Sequence, residues 1–170
     1  TGIAGMSYHG GLMGTIVSAL WYCRKSGIPF MEAADLYIPG IPLGYTFGRL
    51  GNFINNELYG RITHAAVGMY FPTAPGRDLR HPTQLYEAFF EGIFLFVVLW
   101  SFRKAKLPKG AMIACYLVGY GTVRFFIEFF REPDVQLGFV FLWFTMGQLL
   151  CFAMVCCGMG FYFYRMKRQR

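Results

Sequence analysis

Apolar residues in this chain gather into five long blocks with short polar stretches between them. They run from about Ile3 to Cys23, Phe30 to Ile54, Leu85 to Phe102, Gly110 to Phe130 and Phe139 to Tyr164. Each is close to the roughly 20 residues that an α-helix needs to cross a bilayer. Pro39 and Pro42 interrupt the second block; proline lacks a backbone donor and breaks or kinks a helix. The pattern predicts an all-α, polytopic membrane helix bundle of about five transmembrane segments, forming one integral-membrane domain over residues 1–170. The connection from Glu57 to Gln84 is long and carries Pro72, Pro75, Gly76, Asp78 and Pro82. Structureless loops of that length are uncommon, so 57–84 is expected to be a small ordered cap or functional loop on the outer face. Buried core helices of a soluble protein are the competing reading, and five such blocks with so little polar sequence between them count against it.

Composition agrees with the pattern. The chain is 55% hydrophobic and 19% aromatic, with only 15% charged residues, which is too apolar for an ordinary soluble domain. A net charge of +7 would point to nucleic acid in a soluble protein. Here the basic residues flank the apolar blocks, so no nucleic-acid partner is expected and orientation in a bilayer explains them. Ten of the 16 Lys and Arg residues follow blocks one, three and five, in the stretches Arg24–Lys25, Arg103–Lys109 and Arg165–Arg170. Arg61, Arg77, Arg80 and Arg131 fall on the opposite side. The positive-inside rule then puts Arg170 in the cytoplasm and Thr1 outside. The first residues show no basic region and no small-residue cleavage site of a signal peptide. A start at Thr1 is read as a removed N-terminus or a fragment.

Polar residues inside apolar blocks carry the chemistry. An arginine at the centre of a membrane helix costs roughly 2.5–3.5 kcal/mol on insertion scales and so faces the bundle interior with a partner. Arg124 lies in "LVGYGTVRFFIEFF", and Glu128 follows one helical turn later on the same face. The two form either a structural ion pair or an anion site in which Glu128 orients Arg124. Arg49 closes block two after Gly40, Gly44 and Gly48, a stripe whose spacing permits close helix packing in lipid. Packing does not explain Asn52, Asn55 and Glu57, which with Arg49 read as a polar pocket at the outer boundary. His9 stands at the outer start of block one beside Gly10, Gly11 and Gly14, and His81 just before block three. Glu87 and Glu91 follow on one face of that helix. His64 has no evident partner. The histidines lack the spacing of a metal site. The five cysteines, Cys23, Cys115, Cys151, Cys156 and Cys157, lie in apolar blocks without metal or redox spacing. Two arginines with histidines and carboxylates at headgroup depth suit a phosphate, which guanidinium forks match well.

These residues fall in recognisable order. "GRLGNFINNELYG" at 48–60 resembles the signature of the prolipoprotein diacylglyceryl transferases, bacterial inner-membrane enzymes. "SYHGG" at 7–11, "RHPTQLYEA" at 80–88 and "GYGTVRFFIEFFREPD" at 119–134 resemble further segments of that family. The resemblance covers essentially the whole chain. Family members have further membrane helices before the His-Gly-Gly segment, including a tyrosine-bearing motif. The 170 residues are therefore expected to be roughly the C-terminal two-thirds of such a protein.

The resemblance implies transfer of the diacylglyceryl group of phosphatidylglycerol to the lipobox cysteine thiol of a prolipoprotein signal peptide, with release of glycerol phosphate. It implies no metal or organic cofactor, and membrane lipid as the surroundings. The reacting thiol belongs to the substrate and must ionise to attack carbon, while the leaving oxygen needs its charge stabilised. Arg49 and Arg124 are the expected phosphate ligands. His9 is the candidate base and His81 the second choice. Asn52, Glu57 and Gly60 would shape the headgroup site, Tyr120 would add a hydroxyl contact, and Glu128 would orient Arg124. A transporter or channel subunit with an anion-binding arginine pair is the alternative. A pore would spread polar residues through the membrane's depth, whereas here they cluster toward the outer side. A lipid-binding protein without turnover is a third reading.

Overall fold

The computed structural model describes residues 8–132, 139–141 and 144–169, with the backbone alone for Tyr8, His9, 139–141 and Phe144. Helix α1 spans Tyr8–Ser26, α2 Phe30–Tyr37 and α3 Ile41–Ile54, with a 3₁₀ turn at Ile38–Gly40 between the last two. A continuous helical rod over 83–102 is made of α4 (Thr83–Tyr86), a π-helical stretch (Glu87–Phe94) and α5 (Leu95–Phe102). Helix α6 (Ala111–Ile127) and α7 (Met146–Arg168) complete the set. A two-strand antiparallel ribbon, β1 (Phe139–Phe141) with β2 (Phe144–Thr145), leads into α7.

The second apolar block is thus not one span. Pro39 and Pro42 each withhold an N–H from the helical ladder, so the chain tightens into a 3₁₀ turn and leaves the short α2 separate from α3. Among the described residues two segments are long and apolar enough to cross a bilayer, Thr83–Phe102 and Met146–Arg168, and Ala111–Ile127 is a shorter apolar helix.

The small core joins Leu95, Leu99 and Met112 to Ile38, Leu107, Cys115, Tyr116 and Tyr120. Many large apolar side chains stay exposed, among them Trp21, Phe47, Phe126 and Phe152, as expected of a lipid-facing surface. Helix α3 and the π-helical stretch meet at Thr46 and Gly92. A Cβ on Gly92 would collide with the Thr46 hydroxyl and its carbons. That hydroxyl's one proton is shared between the Pro42 carbonyl at 3.1 Å and the Ala88 carbonyl at 3.3 Å, the latter near the wide π turn. The glycine stripe has no neighbour among the described residues. Cβ atoms added at Gly40, Gly44 and Gly48, or at Gly11 and Gly14 on α1, would meet nothing within 4 Å among the described residues. Among the described residues close helix packing is seen at Gly92, Gly119, Gly121 and Gly158, where added Cβ atoms would crowd neighbouring helices.

The two ends of α6 are pinned by polar groups. At its start, the Asp35 carboxylate on α2 accepts from the N–H groups of Gly110 (2.6 Å) and Met112 (3.0 Å), satisfying orphan donors of the first turn. At its end stand Arg124 and Glu128. Helix α7 begins with a capping box between Thr145 and Gln148 and runs back antiparallel, so that Arg165 Nε donates to the Lys109 carbonyl at 2.7 Å.

Candidate active site

Helix α3 ends where the sequence turns from apolar to polar. Asn55 is its C-cap, and Asn56 follows with φ +56, a left-handed stop that asparagine tolerates better than most residues. One of the three amides in "GRLGNFINNELYG" therefore ends the helix. Leu58 also has a positive φ of +59, unusual for a bulky residue. Its turn is held from α4: Thr83 Oγ1 donates to the Leu58 carbonyl at 3.2 Å and Gln84 Nε2 to the Glu57 carbonyl at 2.6 Å. Both Thr83 and Gln84 are fully buried. The chain then folds back through single bridges that pair Gly60 with Arg131 and Arg80 with Ile62 and Met69. A Cβ on Gly60 would strike the Phe130 carbonyl and Thr83 Cγ2, so only glycine fits that crossing.

This packing brings the C-terminal turns of α3 and α6 against the start of the 83–102 rod. Glu87 sits at the centre, with its side chain 0% exposed. Its Oε2 is 2.7 Å from Arg49 Nε and 3.2 Å from Arg124 Nη1 and accepts from the Tyr45 hydroxyl at 3.0 Å. Its Oε1 accepts from Arg131 Nη1 at 2.7 Å. Glu128 lies 3.3 Å from Arg124 Nη2 and 3.5 Å from Arg131 Nε, and the Thr145 hydroxyl donates to its Oε1 at 3.3 Å. Glu91, one turn beyond Glu87 and equally buried, has Arg124 Nη1 at 3.6 Å, and neither of its oxygens receives a hydrogen bond among the described residues. Three arginines and three glutamates thus share one mostly buried volume. Charges so placed persist only when paired.

A polar chain leads outward from Arg49. Its Nη1 donates to Asn52 Oδ1 at 3.3 Å, and Asn52 Nδ2 donates to Glu57 Oε1 at 2.8 Å. The Arg49 guanidinium also lies over the Tyr45 ring, 4.7 Å from its centroid. Tyr120 meets Tyr45 edge-on at 5.9 Å and stacks on Tyr116.

Arg49, Asn52, Glu57, Arg124 and Glu128 therefore form one connected assembly, with Tyr120 against its Tyr45 wall and Gly60 at the crossing beside Arg131. His81 is placed differently. Its Nδ1 is 3.1 Å from the Tyr86 hydroxyl, its ring packs edgewise on Phe130 at 5.2 Å, and no contact joins it to Arg49 or Arg124 among the described residues. His9 falls in the first turn of α1, and its side chain lies outside the described residues. Sequence reasoning missed the central place of Glu87 and the part played by Arg131, which was counted only as a loop charge. Tyr45 was missed as well, although its spacing of four before Arg49 is that of neighbours on a helix face. All five cysteines are free thiols.

With this geometry in hand, comparison with known proteins is decisive. The sequence profile of the family described as prolipoprotein diacylglyceryl transferase matches residues 2–164. The chain belongs to this family. A phosphatidylglycerol–prolipoprotein diacylglyceryl transferase of Chlorobaculum tepidum is 62% identical over 160 residues, which cover 94% of this chain and 55% of the relative. The protein of that name from Ehrlichia ruminantium is 49% identical, covering 91% and 61%. That of Treponema pallidum is 41% identical, covering 94% and 61%. The chain spans a little over half the length of these relatives. Membership of the prolipoprotein diacylglyceryl transferase family, together with the long apolar helices, identifies a membrane protein.

Proposed function

We propose that this chain carries the headgroup site of a phosphatidylglycerol–prolipoprotein diacylglyceryl transferase. One observation carries the reading: Arg49 and Arg124, on separate helices, are brought to a single carboxylate oxygen at one end of the bundle. The polar chain Asn52–Glu57 continues outward from there. The names of the relatives supply the donor and acceptor. The polar cluster is confined to one end of α3 and α6, which suits a lipid headgroup rather than a pore.

In this reading the bundle is multi-pass, with about five spans in a bacterial inner membrane. The arginine end faces outward and the residues after α7 are cytoplasmic, as the distribution of basic residues favours. The acceptor is the lipobox cysteine of a prolipoprotein signal peptide. Its thiol gives its proton to a base, and the sulfur attacks the glyceryl carbon bonded to the phosphate oxygen. The S–C bond forms as the C–O bond breaks, and glycerol phosphate leaves with the electron pair. Arg49 and Arg124 hold the phosphate and stabilise the charge on the departing oxygen. Glu128 orients Arg124 while Asn52, Glu57 and Gly60 shape the wall, and Tyr120 offers a hydroxyl. His9 is the preferred base, because the His81 ring is already engaged by Tyr86 and Phe130. The segment 57–84 caps the site.

The test is transfer in membranes containing the full gene product, radiolabelled phosphatidylglycerol and a lipobox peptide. Label is expected on the peptide cysteine as a thioether and absent when that cysteine is replaced by serine. Label that stays in lipid would overturn the reading.

A further inference from the structure

We infer that Glu87 is a positioning residue of the transfer site, whose shared carboxylate fixes the mutual orientation of Arg49 and Arg124. The inference rests on the proposed function. Glu87 has no exposed side-chain surface, so it acts through the groups around it. Those groups come from three separate stretches: Arg49 and Tyr45 from α3, Arg124 from α6 and Arg131 from the segment after α6. No other described carboxylate joins all three arginines. Glu87 engages the Nε edge of Arg49 and one Nη of Arg124. Each guanidinium then has a second contact of its own, Arg49 with Asn52 and Arg124 with Glu128. Two contacts on a planar group define its plane. The backbone under Glu87 is held too, by the Thr46–Gly92 crossing on one side and by the buried Thr83 and Gln84 on the other.

The same geometry gives Glu87 two opposed effects on a phosphate. Its negative charge competes for both arginines in the resting site, which weakens ground-state binding. Its fixed position aligns both donors for the departing oxygen, which serves the transition state. A residue that only neutralised buried arginines would do the first and not the second.

The experiment measures kcat and KM for phosphatidylglycerol, per mole of folded, membrane-inserted protein, in wild type, Glu87→Gln and Glu87→Asp. In Glu87→Gln the KM is expected to fall severalfold while kcat drops by about 100-fold, the scale of losing an aligned oxyanion donor. Glu87→Asp keeps the charge but shortens the reach, so KM should hold while kcat falls less than in the Gln variant. Wild-type kcat and KM per folded molecule in both variants would overturn the inference while leaving the functional reading intact. If Glu87→Gln fails to accumulate, Glu87→Asp decides: reduced kcat at unchanged KM supports positioning, and wild-type kcat overturns it. Absence of transfer by the wild type would overturn the functional reading, and this inference with it.

Discussion

The two ends of helix α6 carry polar knots of opposite kinds. At the Gly110 end, Asp35 satisfies two backbone N–H groups, and the neighbouring Lys109–Glu32 pair, at 2.5 Å, stands 64% and 43% exposed. Asp35 there has a structural task that any helix start presents, and the Lys109–Glu32 pair is an exposed one. At the Arg124 end, three arginines meet three glutamates, two of them with no exposed side-chain surface, and no unpaired backbone explains why so many charges are buried together. Guanidinium groups near helix C-termini gain from the helix dipole, but that gain is small beside the cost of burial. The first knot ties helices together. In the proposed reading the second is the headgroup site, and its buried charges keep the arginines aligned.

The sharpest way to break this contrast is Arg124→Lys. It keeps the charge but loses the fork that reaches Glu87 and Glu128 at once, and transfer should fall by about 100-fold or more in the labelled-lipid assay. Insertion, followed by protease protection of the residues after α7, should be unchanged. Gly60→Ala comes next. A Cβ at the crossing with Phe130 and Thr83 should cost about 1–3 kcal/mol of overpacking, seen as faster proteolysis of 57–82 together with reduced transfer. At the other end, Asp35→Asn leaves one oxygen for two backbone donors and should cost about 1 kcal/mol of thermal stability, with transfer unchanged. Lys109→Ala removes an exposed pair and should cost under about 1 kcal/mol. Loss of transfer in either of these last two variants would erase the distinction between the ends.

Much of the arrangement was legible beforehand, and the reasons differ by residue. Arg124 and Glu128 announce themselves because a charge in an apolar run needs a partner, and one turn of helix supplies it. Arg49, Asn52 and Glu57 lie within nine residues of one another, so their link is local. Glu87 was visible only as one of two carboxylates on a helix face. Its central role depends on how α3, α6 and the 83–102 rod come together, as at Thr46 against Gly92, contacts far apart in sequence. Arg131 was hidden for a related reason: it follows α6 beyond the apolar block, and it is held by the bridge to Gly60 and by Arg61, far away in sequence. The spacing of the glycine stripe tells which face is smooth, not what lies against it. Prolines 39 and 42 gave the break in the second block, but not that α2 would serve as the cap of α6 through Asp35.

Whether phosphate rests on Arg49 and Arg124 can be measured directly by arginine modification. The protein, in nanodiscs of phosphatidylcholine, is treated with phenylglyoxal with and without added phosphatidylglycerol, and modification is followed residue by residue by mass spectrometry. Phosphatidylglycerol should slow modification at Arg49 and Arg124 and leave Arg24 and Arg103 unaffected, while uncharged diacylglycerol should protect neither site. Equal modification of Arg49 and Arg124 with and without phosphatidylglycerol would contradict a phosphate site at this end of the bundle.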